Sequence, residues 1–115
     1  MNKFEERVRK LQGLMLEKNI DGIMIRTLPS FRYFTGVCWW QPSLYIPASN
    51  NPTIFIFEDE VEEIKEKTWI EDVKGYRTVE ELMKNVVATI KDSKAKTLGF
   101  DLDIDASAAL YQMFL

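Results

Sequence analysis

Residues 20–36 read Ile20-Asp21-Gly22-Ile23-Met24-Ile25-Arg26-Thr27-Leu28-Pro29-Ser30-Phe31-Arg32-Tyr33-Phe34-Thr35-Gly36. Ile20-Asp21-Gly22 has turn chemistry. The apolar run Gly22 to Ile25 that follows has the length and branching of a buried strand rather than of a helix. Leu28-Pro29-Ser30 is expected to break that strand. Ser30 is then placed to cap a short helical turn through Tyr33, which Thr35-Gly36 stops, because glycine takes the positive φ that ends a helix.

Upstream, Phe4, Val8, Leu11 and Met15 recur at helical spacing and predict an amphipathic helix from about Lys3 to Lys18, with Asn19 at its exit. Downstream, an aromatic loop leads to two strands, Ser43 to Ala48 and Thr53 to Phe57. Ser49-Asn50-Asn51-Pro52 joins them, a tetrad of turn formers short enough for an antiparallel hairpin. Pro47 must lie at a strand end or an edge, since it cannot donate to a ladder. Glu58 to Lys67 reads as a helix with acids first and lysines last. A short strand near Glu71 to Gly75 and a helix after the cap Thr78 follow, the helix marked by Val79, Leu82, Met83, Val86 and Ile90. Thr97 to Phe100 reads as a further buried strand, and Asp105 as the cap of a last helix carrying Leu110, Met113 and Phe114. Helices alternating with buried strands, plus one hairpin, predict an α/β domain with a mixed sheet and helices on both faces. There is no internal repeat, low-complexity segment or linker.

With 115 residues the chain has room for one domain, and its 46% hydrophobic and 29% charged residues are those of a folded globular protein. The net charge is -3 and the lysines and arginines are dispersed, which argues against a nucleic-acid partner. Lys91, Lys94 and Lys96 suit the negative end of a helix dipole. The single Cys38 allows no internal disulfide, and no apolar run suggests a signal peptide or membrane span, so a cytoplasmic protein is expected. Histidine is absent, which removes the commonest metal ligand and the commonest general base at neutral pH.

The order of a helix, the Asp21-Gly22 turn, a buried strand, Tyr33-Phe34-Thr35-Gly36 and a hairpin resembles the N-terminal domain of the creatinase, Xaa-Pro dipeptidase (prolidase) and aminopeptidase P metallopeptidases. Leu98-Gly99-Phe100-Asp101, followed by Ala106 to Tyr111, is similar to the same family. The resemblance implies a three-layer, ribonuclease-H-like domain over residues 1–115. In that family a second, C-terminal domain holds two divalent metal ions (cobalt, manganese or zinc) between two aspartates, a histidine and two glutamates, and cleaves the amide bond before proline. That set has no counterpart here, so the chain reads as a domain without its catalytic partner. The resemblance implies that such a domain joins its own catalytic domain, helps form a homodimer and walls the cleft that admits peptide substrate.

Phe31 to Tyr45 concentrates six aromatics: Phe31, Tyr33, Phe34, Trp39, Trp40 and Tyr45. Core packing accounts for part of the set. Adjacent residues of an extended segment point to opposite sides, so Trp39 and Trp40 cannot easily both face inward. With Gln41 they are the candidates for contacting substrate across a dimer, a role the resemblance suggests for this loop. Trp69 is a weaker candidate beside a core reading. Asp101, Asp103 and Asp105 alternate, so an extended segment would place their carboxylates on one face, as a metal-dependent phosphoesterase would need. Helix capping by Asp105 and a loop position for Asp103 are the plainer reading. Cys38 has no activating histidine and reads as structural. A stand-alone binding or dimerisation module is the remaining alternative.

Overall fold

The computed structural model describes residues 2–101. The chain begins with helix α1 (Lys3–Glu17), whose Asn2 cap accepts a 2.8 Å hydrogen bond from the backbone N–H of Glu5. Strand β1 (Gly22–Ile25) follows, then helix α2 (Leu28–Thr35), the hairpin strands β2 (Leu44–Pro47) and β3 (Thr53–Phe57), a 3-10 turn at Glu58–Glu60 and helix α3 (Val61–Lys67). Strand β4 (Asp72–Tyr76), helix α4 (Val79–Asp92) and strand β5 (Leu98–Phe100) complete the described fold.

The five strands lie in the order β4-β3-β2-β1-β5. Pairing is antiparallel between β1 and β2 and between β2 and β3, and parallel between β1 and β5 and between β3 and β4. Strand β2 therefore runs against the other four, and the sheet is mixed, as expected. Alternation along each strand sorts the core into two halves. Ile25, Leu44, Ile46, Ile54 and Ile56 face Val8 and Met15 of α1, Phe31 of α2 and Ile64 of α3. Met24, Tyr45, Phe55 and Tyr76 face Leu82 and Val86 of α4. Helices cover both faces and the domain has three layers.

Most predicted elements fall within a residue or two of their observed limits, and Pro47 ends β2 as required. The reading of Leu28-Pro29-Ser30 is corrected. These residues open α2 instead of ending β1 through a break, because proline is tolerated in a first helical turn, where its missing N–H would have no helical partner. Ser30 is thus inside the helix, and Thr27 holds the N-cap position. Glu58 to Lys67 divides into the 3-10 turn and a shorter α3. The last helix predicted from Asp105, and Asp103 with it, lie outside the described residues.

Side chains far apart in sequence fix the frame. Gln12, buried on α1, donates to the carbonyls of Pro47 and Asn50 at 2.9 and 2.8 Å, and Arg9 donates to Asn51 Oδ1 at 2.8 Å, so α1 holds the hairpin turn. Asp21 Oδ2 accepts from the N–H groups of Lys96 and Thr97 at 2.7 and 3.1 Å, which sets the start of β5 against β1. Gly22 leaves room for the ring of Tyr45: a Cβ there would lie 2.6 Å from Tyr45 Cε1.

Candidate functional site

The aromatic loop runs from α2 to β2 and is pinned at both ends. Gly36 takes φ 81°, the left-handed exit expected of it, and its N–H bonds to the Arg32 carbonyl. Buried Thr35 donates to the Phe31 carbonyl at 2.7 Å and accepts from the Val37 N–H at 3.1 Å. Trp69 donates its indole N–H to the Phe34 carbonyl at 2.9 Å, so it braces the end of α2 and packs against the core. Val37 is buried on one side of the loop, and Pro42 and Ser43 on the other.

Between these anchors the structure separates the two tryptophans. Trp39 is half-buried against the core and donates its indole N–H to Glu60 Oε2 at 2.9 Å, while the Lys67 ammonium lies 5.6 Å from its ring centroid. Trp40 is 64% exposed and stacks on Phe57, with centroids 6.2 Å apart and planes 25° from parallel. Phe57 in turn lies against Tyr76 at 4.9 Å. Gln41 is exposed beside Trp40. The three candidates therefore sit on one loop, with Trp39 serving as its root and Trp40 and Gln41 as its outer surface. Glu60, Phe57 and Tyr76 were not legible as parts of this site. Each reaches it from another element, and the acidic segment by itself reads as a solvated helix.

The carboxyl ends of β1 and β5 meet beside this loop. Asp101 Oδ1 accepts from the Arg26 N–H at 2.7 Å, and Oδ2 accepts from the Thr27 N–H and hydroxyl at 3.0 and 2.7 Å. Its carboxylate thus meets the N-terminus of α2, where unpaired N–H groups and the helix dipole favour a negative charge. Burial lowers the Arg26 pKa from its usual value, opposed by Tyr76 and Asp101, and burial raises that of the Tyr76 phenol, which keeps the phenol protonated at neutral pH.

These residues do not fit a two-metal centre. The chain has no histidine, and among the described residues no three acidic or thiol side chains come together to hold a cation. Both oxygens of Asp101 accept hydrogen bonds from Arg26 and Thr27, just ahead of α2, while Asp103 and Asp105 lie outside the described residues. Cys38 is exposed on the loop. Among the described residues no helix is long and apolar enough to cross a membrane.

The described residues thus form a three-layer α/β domain with one reversed strand and an aromatic loop anchored at both ends. Residues 7–114 match the creatinase/prolidase N-terminal domain family, and the chain belongs to it. Solved structures agree in fold. An Xaa-Pro aminopeptidase (aminopeptidase P) from Streptococcus thermophilus superposes with a TM-score of 0.81 at 18% identity, over 97% of this chain and 83% of that one. The N-terminal domain of a cytoplasmic peptidase from Mycobacterium tuberculosis gives 0.73 at 17% identity, over 93% and 83%. An Xaa-Pro dipeptidase from Bacillus anthracis gives 0.78 at 18% identity, over 96% of this chain but 31% of that longer one. No curated protein matches the sequence.

Proposed function

We propose that this chain acts as the non-catalytic N-terminal domain of an Xaa-Pro dipeptidase or aminopeptidase P-like metallopeptidase of the cytoplasm. In this reading it joins a C-terminal catalytic domain, contributes to a homodimer and walls the cleft that selects peptide substrates. Membership of the family over residues 7–114 supports the class, and so does the Bacillus anthracis dipeptidase, of which a domain like this one is only 31%. The observation that carries the cleft role is the placement of Trp40: an exposed indole held on a loop whose two ends are buried.

Hydrolysis of an amide at neutral pH needs an activated water, and two divalent ions (cobalt, manganese or zinc) in the catalytic domain would supply one by lowering its pKa. This domain's own residues bind and exclude. The Trp40 ring and the Gln41 amide would meet the peptide across the dimer, with Trp39 holding the loop in place through Glu60. In the two-domain enzyme, Trp40→Ala should change selectivity over a series of X-Pro dipeptides, chiefly through KM, while Trp69→Phe leaves the ranking of substrates alone. Identical kinetics for wild type and Trp40→Ala across the series would remove the cleft role.

A further inference from the structure

Consecutive tryptophans of the loop belong to opposite halves of the core. Trp39 packs against the half that faces α1, α2 and α3, and is tied there through Glu60. Trp40 rests on Phe57, which packs with the half that faces α4. The bond from Trp39 to Glu60 therefore fixes where the loop stands, but not how the next indole is turned.

A stack of rings sets that turn instead. Phe57 and Tyr76 are partners in the parallel register of β3 and β4, so both side chains stand on the same face. Their ring centroids lie 4.9 Å apart, and Tyr76 is buried with Leu82 and Val86 of α4. Trp40 adds the third ring, 6.2 Å from Phe57 with the planes 25° apart. Both separations fall where aromatic rings attract beyond the burial of area, a gain that corresponds to about a two- to tenfold preference for the stacked arrangement. One face of the indole is on Phe57 and the residue is 64% exposed, so the rest of its surface is turned outward.

We infer that Phe57 is a positioning residue for substrate selection: it sets the plane of the Trp40 indole, with buried Tyr76 as the floor of the stack. This rests on the substrate-facing role proposed for Trp40, and it adds a residue that acts through that indole without touching peptide. A freely turning indole loses orientational freedom when it meets the peptide, whereas a stacked one has lost it already. The stack therefore acts on KM rather than on kcat.

Three variants test this. Phe57→Leu removes the ring but keeps an apolar side chain at a half-buried position that ends β3, so the fold tolerates it. Phe57→Tyr keeps the ring, and Val86→Ala loosens the same half of the core while leaving all three rings in place. In the 115-residue chain, the heteronuclear NOE of the Trp40 indole N–H is expected to fall in Phe57→Leu alone, while that of Trp39 holds. In the two-domain enzyme, Phe57→Leu should raise KM about two- to tenfold for the same X-Pro dipeptides that Trp40→Ala affects, at nearly constant kcat, and Phe57→Tyr and Val86→Ala should keep the wild-type ranking. An unchanged Trp40 signal in Phe57→Leu would overturn the proposal. So would an equal change of ranking in Val86→Ala, which would make the effect one of core stability. If Trp40→Ala alters selectivity and Phe57→Leu does not, the substrate role of the loop stands and the inference about Phe57 fails. If Trp40→Ala alters nothing, the substrate role fails and this inference fails with it, whatever the indole signal shows.

Discussion

The Thr27 hydroxyl donates to Asp101 Oδ2 at 2.7 Å, and the Thr27 N–H donates to the same oxygen at 3.0 Å. This pair joins the carboxyl end of β5 to the start of α2 across most of the chain, and it replaces the side-chain cap that Thr27 does not itself provide. Charge-assisted bonds of this kind contribute about 1.5–3 kcal/mol each when partly buried. Asp101→Ala should therefore lower stability by about 2–3 kcal/mol in urea unfolding, seen as a lower midpoint at unchanged m. Asp101→Asn should recover little, because its amide group presents donors to donors. An Asp101→Ala variant as stable as wild type would show that the α2 N-terminus is satisfied by water instead.

Asp21 makes the matching clasp at the other end of β5, and its acidity records it. The backbone N–H groups of Lys96 and Thr97 hold its pKa below the ordinary 3.8. A depressed folded-state pKa means that the stabilisation is present above the unfolded-state value and is lost as pH falls through the folded one. The stability gap between wild type and Asp21→Asn should thus be constant near neutrality and close below about pH 4. Thermal unfolding of both proteins between pH 2.5 and 7 checks this. A gap that widened on acidification would contradict it.

Gly22 and Tyr45 test the close approach across β1 and β2. Tyr45 is buried and its hydroxyl shares a 2.7 Å hydrogen bond with Ser93 Oγ. A methyl at position 22 would collide with the phenol, and overpacking of this kind costs about 1–3 kcal/mol. Gly22→Ala should destabilise by that amount, and Tyr45→Phe in the same chain should recover part of it, because the missing hydroxyl oxygen is the nearest clashing atom. Additive losses in the double variant would show that the strain lies elsewhere.

Gly36 carries two demands at once. Its φ of 81° is disfavoured for any side chain, and a Cβ would stand 2.7 Å from the Phe4 ring. Gly36→Ala should cost about 1–3 kcal/mol by chemical denaturation and shift the indole signals of Trp39 and Trp40, since the loop begins there. Stability loss without movement of those signals would mean that the loop is set by its Ser43 end alone.

What the chain announced beforehand divides along the range of the interactions. The apolar runs Gly22 to Ile25 and Thr53 to Phe57 were readable as strands, and Thr35-Gly36 as a stop, because composition within a few residues decides them. Pro29 misled, since a proline after a strand suits both a break and the first turn of a helix, and only the packing of Phe31 beneath the sheet selects the latter. The bond from Trp39 to Glu60 and the Asp101 clasp join residues 21 to 75 positions apart, and no local pattern encodes them or the strand order. For the loop, adjacency alone implied that Trp39 and Trp40 would face different ways; which one would be outside depended on Phe57 and Glu60.

The central claim is that this domain shapes a peptidase without performing its chemistry. The most direct measurement incubates the purified 115-residue chain with Ala-Pro and with a longer Xaa-Pro peptide, in added manganese, cobalt or zinc, and follows release of free amino acid. The account predicts no turnover above a buffer blank under any metal. Hydrolysis that stays with the folded chain through successive purification steps, and disappears when the chain is unfolded, would contradict it.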